Sequence, residues 1–160
     1  IQIISQELIF CSRVRKEIKA VYNILIVEDE KGTSGPVKEA LELYGYKADI
    51  AEDGEAGLEM FKESTYDLVL LDLKMPKMTG EEVLKEIRQR YTYVYVIIYT
   101  NYKDFDEIKG LTNLGIDGYI NKGPSAELQE LIDKIREKLE PLDEEGVKKL
   151  FEGIEEIPVD

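Results

Sequence analysis

Short apolar runs alternate with amphipathic segments between residues 24 and 139 of this 160-residue chain. The runs are Ile24–Val27, Tyr46–Ala51, Leu68–Leu71, Val94–Tyr99 and Tyr119–Ile120. Short, continuous and mostly β-branched or aliphatic, they have the pattern of parallel strands covered on both faces. Helical spacing fills the intervals. Val37, Leu41, Leu43 and Tyr44 mark a first helix, with Thr33 or Ser34 as its cap and Pro36 in its opening turn. Ala56, Leu58, Met60 and Phe61 mark a second helix, and Val83, Leu84 and Ile87 a third. Ile108, Leu111 and Leu114 mark a fourth, and Leu128, Leu131, Ile132, Ile135 and Leu139 a fifth. Five strands alternating with five helices predict an α/β fold, a doubly wound three-layer sandwich around a parallel sheet. In such sheets, ligands gather beyond the carboxyl ends of the strands, where the strand order reverses.

The strand ends carry polar groups. Strand one runs into Glu28, Asp29 and Glu30, strand three into Asp72, strand four into Thr100 and strand five into Lys122. Carboxylates brought together at one sheet edge repel and raise one another's pKa unless a cation sits among them. A hard divalent ion held by oxygens fits, and Mg²⁺ commonly takes one or two carboxylates, several waters and a phosphate. Lys122 then supplies a point charge for an anion, and Thr100 a hydroxyl donor. Taken singly, each residue has an ordinary explanation: a solvated turn for "VEDE", a surface lysine, a cap for Asp72. Complementary groups on four separate strand ends point instead to a phosphoryl group held beside a metal.

Composition narrows the classes. With 43% hydrophobic and 34% charged residues, the chain suits a globular domain. No apolar run approaches the roughly 20 residues that span a bilayer, and the N-terminus lacks the apolar core of a signal peptide. The single cysteine, Cys11, cannot form an intrachain disulfide, in keeping with a reducing cytoplasm. A net charge of −13 repels phosphate backbones, so nucleic acid is not an expected partner, and the lack of a spanning run leaves no membrane expected either. The chain has no histidine. Histidine metal sites, Ser–His–Asp triads and a phosphohistidine carried by this chain are thereby excluded.

Two appendages flank the α/β body. Residues 1–21 carry net charge +2, from four basic and two acidic side chains. Ile4, Cys11 and Ile18 share one heptad position, and Val14 and Val21 another, over about two heptads. Beyond residue 140, Pro141 stops the fifth helix, and Asp143 is placed to cap a short helix bearing Val147, Leu150, Phe151 and Ile154. Three readings stay open for both: packing on the main body, self-association as a homodimer, or a lead into a neighbouring domain.

Several stretches together resemble the receiver domain of two-component response regulators, the CheY-like family, across residues 22–140. They are "ILIVEDE" at 24–30, "GYKADIAEDGEAGLEMF" at 45–61, "DLVLLDLKMPKMTG" at 67–80, "VIIYT" at 96–100 and "GIDGYINK" at 115–122. The resemblance implies a flavodoxin-like, five-stranded parallel sheet of order 2-1-3-4-5. It implies that Asp72 is the phosphoacceptor, forming an aspartyl-phosphate in a reaction the domain itself catalyses. Asp29, Asp72 and the backbone carbonyl of Lys74 would ligate Mg²⁺, with Glu28 reaching it through water. Lys122 would neutralise phosphoryl charge in the transition state, Thr100 would bond a phosphoryl oxygen, and Tyr119 would be the aromatic switch. The expected donor is a sensor histidine kinase or phosphotransfer protein, and the expected output face is helix four, strand five and helix five.

Departures from the family pattern are also readable. Gly123 separates Lys122 from Pro124, and a cis bond at Lys122–Gly123 would cost about 2.5–4 kcal/mol, so trans is expected. Asn101 and Tyr102 follow Thr100 where the family usually has a small residue, and Lys74 places a cation two residues after Asp72. "KGTSGP" at 31–36 puts two glycines and a proline where helix one should open, so that helix is expected to start late. A phosphatase with a strand-end aspartate nucleophile would need a second aspartate at position 74. The remaining alternative is a degenerate receiver that binds proteins without phosphorylation. Residues 141–160 are short for a DNA-binding domain, and the chain opens on Ile1, so a single-domain regulator or a piece of a longer protein is expected.

Overall fold

The computed structural model describes residues 21–91, 93–101, 104–122 and 127–140. The readings made for residues 1–20 and 141–160, for Tyr102 and for the Lys122–Gly123 bond lie outside the described residues. Tyr22–Leu139 form one compact unit. Its elements, in chain order, are β1 Asn23–Val27, α1 Lys31–Leu43, β2 Lys47–Ala51, α2 Gly54–Glu63 and β3 Leu68–Leu71. There follow α3 Gly80–Arg90, β4 Tyr95–Thr100, α4 Phe105–Leu114, β5 Gly118–Asn121 and α5 Glu127–Leu139. The sheet is parallel throughout, in the expected order β2-β1-β3-β4-β5.

Two apolar layers sandwich the sheet, and strand alternation sorts residues between them. Leu25, Val27, Val69, Leu71, Val96 and Ile98 meet Phe61 of α2, Val83, Leu84 and Ile87 of α3 and Leu111 of α4. On the other face Ile24, Ile26, Leu68, Leu70, Ile97, Tyr99 and Ile120 meet Val37 and Leu41 of α1 and Leu131, Ile132 and Ile135 of α5. This double cover explains why β3 reads "LVLL" without a polar break. Each such buried side chain stabilises the fold by about 1.5–3 kcal/mol. Among the described residues no helix is long and apolar enough to cross a membrane.

Helix one departs from expectation. It opens at Lys31 with Glu30 at the cap position and no side-chain cap, so neither Thr33 nor Ser34 is the cap. The Thr33 and Ser34 N–H groups donate instead to the Glu30 carbonyl at 2.9 and 3.0 Å. Pro36 lies inside the helix, past its first turn. Glycine costs about 1 kcal/mol relative to alanine in a helix, but Ser34, Val37, Ala40 and Leu41 are buried against the sheet. Tertiary packing outweighs that local preference. Leu43 is not part of the apolar stripe: two residues after Leu41 it lies about 200° round the helix and is 87% exposed. Tyr44 is likewise at the surface, its hydroxyl donating to Gln129 Oε1 at 3.2 Å and its ring under Arg136.

Candidate functional site

Register places the polar strand ends together. Val27 pairs with both Ala51 and Leu71, and Leu71 pairs with Ile98. Glu28 and Asp72 therefore leave the sheet side by side at the point where strand order reverses. Their N–H groups extend the ladder by donating to the carbonyls of Ala51 and Val27, each at 3.0 Å. At the next strand pair Thr100 lies opposite Asn121, and the Lys122 N–H donates to the Thr100 carbonyl at 2.9 Å. Glu28, Asp72, Thr100 and Lys122 are all buried, and Asp29 is half-buried.

One carboxylate oxygen each from Glu28, Asp29 and Asp72 fall within 4.8 Å of one another. The Lys122 ammonium bonds to Glu28 Oε2 and stands 3.3 Å from Asp72 Oδ2. It also lies over the Tyr99 ring, 5.5 Å from its centroid. Asp72 Oδ1 accepts from the Leu73 N–H at 2.8 Å, and Glu28 Oε1 from the Glu30 N–H at 3.1 Å. Burial holds the Glu28 carboxyl above its ordinary range, while the Lys122 bond pulls it back. The neighbouring Asp72 charge adds a smaller upward push, so desolvation outweighs the mutual repulsion stressed by the sequence. Three clustered oxygen donors, two of them buried, fit a hard divalent cation.

The loop between β3 and α3 fixes Asp72 from behind. A Cβ added to Gly80 would lie 2.2 Å from the Asp72 carbonyl oxygen and 2.8 Å from Leu73 Cα. Only glycine lets the start of α3 come this close, and its N–H donates to the Leu73 carbonyl at 3.1 Å. Thr79 and Glu82 form a reciprocal capping box at this helix start. Met78 N–H closes a tight turn onto the Pro76 carbonyl at 2.9 Å, with Lys77 between them at φ 68°. Lys77 reaches Asp53 at 3.3 Å, and Asp53 caps α2 by accepting from the Ala56 N–H. Lys74, whose carbonyl the resemblance makes a metal ligand, lies on the same loop, its exposed ammonium 4.0 Å from Glu107 Oε2.

Tyr119 is half-buried in β5 against the layer of α2, α3 and α4, its hydroxyl accepting from Asn121 Nδ2 at 3.4 Å. Asn101 is exposed. The sequence reading thus brings Glu28, Asp29, Asp72 and Lys122 to one place, with Thr100 on the adjoining strand end. It did not single out Tyr99, which reads as one more strand residue but lies against the Lys122 ammonium. The available signal was its place beside Thr100, facing the strand that ends in Lys122.

The pattern of the response regulator receiver domain matches residues 24–136. The chain belongs to that family. This receiver is 40% identical over 116 residues to the response regulator ArlR of Staphylococcus saprophyticus, a match covering 72% of the chain and 51% of the relative. It is 38% identical over 114 residues to the sensory transduction protein RegX3 of Mycolicibacterium smegmatis, covering 71% of the chain and 49% of that protein. The receiver thus spans about half the length of the curated relatives it matches. Among solved structures it resembles the response regulator TrrA of Thermotoga maritima, in complex with Mg²⁺-BeF, at 35% identity and a TM-score of 0.67. That match covers 74% of this chain and 100% of TrrA. A CheY-like receiver domain protein of Methanospirillum hungatei matches at 31% identity and a TM-score of 0.71, covering 81% of this chain and 99% of the other.

Proposed function

We propose that this receiver is a phosphoacceptor switch, taking a phosphoryl group on Asp72 from a sensor histidine kinase, a phosphotransfer protein or a small phosphodonor. The observation that carries this reading is the Lys122 ammonium 3.3 Å from Asp72 Oδ2, inside a cluster of three carboxylates. An Asp72 carboxylate oxygen attacks phosphorus in line, and the P–O or P–N bond to the leaving group breaks with its electron pair departing on that group. Lys122 offsets negative charge as it grows on the phosphoryl oxygens. Thr100, at the end of β4, offers its hydroxyl to one of them. Asp29, Asp72 and the Lys74 carbonyl would hold Mg²⁺, with Glu28 reaching it through water, and the ion when bound would shield phosphoryl charge from the carboxylates. The chain has no histidine, so the phosphohistidine donor is another molecule. Residues 22–140 act as the switch in the cytoplasm, and output is read from α4, β5 and α5 with Tyr119 as a moving part.

Labelling with acetyl phosphate tests this directly. The native chain should incorporate phosphoryl groups in Mg²⁺ and incorporate none when the metal is chelated beforehand, and Asp72→Asn should incorporate none in either case. Undiminished labelling of Asp72→Asn would move the site elsewhere. A native chain that never labels would favour a binding module independent of phosphorylation.

A further inference from the structure

Three groups among the described residues hold the Lys122 ammonium, and they differ in kind. Two are carboxylates: Glu28 Oε2, and Asp72 Oδ2 at 3.3 Å. Both belong to the oxygen cluster a cation would occupy, so their hold on Lys122 weakens as the site fills. The third is the face of Tyr99, 5.5 Å from the ammonium. That ring carries no net charge, and Lys122 meets it where both residues are at most 9% exposed. An aromatic face attracts an ammonium within about 6 Å, and more strongly once water is excluded.

We propose that Tyr99 is a positioning residue for phosphoryl transfer, its ring face keeping Lys122 beside Asp72 when the carboxylates are engaged elsewhere. The inference rests on the phosphoacceptor reading of Asp72 and extends it to a residue outside the polar strand ends. Placement supports it. Tyr99 is the penultimate residue of β4 and pairs with Ile120 of β5, two residues before Lys122. Its ring is fixed among Ile97, Ile120 and the α1–α5 layer. A leucine there would keep an apolar side chain in the layer but give the ammonium no electrostatic partner. Lysine has a flexible stem and no planar fork to fix its own direction, so a fixed neighbour decides where its charge sits.

The test uses the full chain with tyrosine, phenylalanine, progressively fluorinated phenylalanines or leucine at position 99. Fluorination drains the ring face while nearly preserving its shape. Acetyl phosphate labelling in Mg²⁺ should stay within about twofold of native in Tyr99→Phe, slow stepwise with fluorination, and fall about five- to tenfold in Tyr99→Leu. Proton NMR of ¹³C-lysine-labelled native chain should show an upfield ring-current shift of the Lys122 ε-methylene, assigned by its loss in Lys122→Met and absent in Tyr99→Leu. A rate indifferent to fluorination overturns the proposal, as does a native Lys122 methylene with no ring-current shift. A native chain that fails to label overturns the phosphoacceptor reading and the kinetic role of Tyr99 with it. A ring-current shift that persists in that case marks the contact as real and separates the two failures.

Discussion

Replacing Gly80 with alanine sets two effects of comparable size against each other. Helix propensity favours the change, by up to about 1 kcal/mol in a helix interior and less at the first position of α3. Packing opposes it. The new Cβ would stand 2.2 Å from the Asp72 carbonyl oxygen, 2.8 Å from Leu73 Cα and 3.0 Å from the Asp72 carbonyl carbon. All three neighbours are backbone, so no side chain can rotate away. Restoring ordinary contact, which begins at 3.4 Å, requires the loop and the helix start to separate by about 1 Å. Overpacking of this kind costs about 1–3 kcal/mol, so the net expectation is a loss of about 1–2 kcal/mol. Urea unfolding should show it as a lower midpoint with an unchanged slope. The functional effect should be larger, because a displacement of about 1 Å at a reacting group can cost about 100-fold in rate. Acetyl phosphate labelling of Gly80→Ala should therefore fall by about ten- to 100-fold while the variant stays folded. Gly110→Ala in α4 is the matched control, since its Cβ meets nothing within 4 Å; propensity alone should stabilise it by about 0.5–1 kcal/mol. If Gly80→Ala is as stable as native and labels at the native rate, the account of how Asp72 is held is wrong.

Two further outcomes follow from groups away from the site. Arg88 donates to the carbonyls of Gly115 and Val94, each at 2.8 Å, and to Asp117 Oδ2 at 2.9 Å, tying α3 to the turn before β5. Arg88→Met should lose about 1–3 kcal/mol in urea unfolding by stranding those acceptors, whereas Arg90→Met, which breaks an exposed 3.7 Å pair with Glu86, should lose under about 0.5 kcal/mol. Burial, with Asp49 as acceptor, pushes the Tyr66 phenol up to about 12 from its ordinary 10.0. The folded chain keeps this proton where the unfolded chain has released it, so the associated stability is complete below pH 10.0 and is lost as pH rises towards about 12. Unfolding measured across that window should show native losing stability relative to Tyr66→Phe, and an unchanged difference would contradict the assignment.

The strands and the polar strand ends were legible because a parallel sheet covered on both faces forces continuous apolar runs with abrupt ends. "LVLL" followed by Asp72 is such a boundary, and it lies where the structure places it. The start of α1 was not legible. Gly32, Gly35 and Pro36 are unfavourable by local preference, and only the burial of Ser34, Val37, Ala40 and Leu41 against a sheet formed from distant strands reverses the balance. Leu43 failed the other way: two residues after Leu41 it lies about 200° round the helix, on the face turned away from the sheet, so its apolar character was no sign of burial. The need for glycine at position 80 comes from a backbone approach between residues eight apart, not from a turn that demands positive φ, so no local pattern reveals it. Tyr99 was hidden for a similar reason. An aromatic residue in an apolar run reads as core, and its relation to Lys122 exists only through the register of β4 with β5.

The energetics of the buried polar side chains bear on why the site exists. Among the described residues the buried polar or charged ones are Glu28, Ser34, Asp72, Thr100 and Lys122, and all but Ser34 stand at or just beyond the C-terminal ends of strands. No buried side-chain polar atom among the described residues lacks a hydrogen-bond partner, so the arrangement is internally satisfied. Satisfaction does not make it the most stable choice. A buried ion pair loses so much solvation that well-packed hydrophobic residues of similar volume often do as well or better by about 1–4 kcal/mol. One apolar layer already runs up to Val27, Leu71 and Ile98, and the other up to Ile26, Leu70 and Tyr99 on the same strands, so extending them by one residue would be structurally simple. Stability alone therefore gives no reason for three carboxylates and a lysine to occupy this edge, and a raised Glu28 carboxyl is the visible cost of placing them there. The phosphoacceptor role proposed for Asp72 would supply such a reason, because it needs charge held away from water.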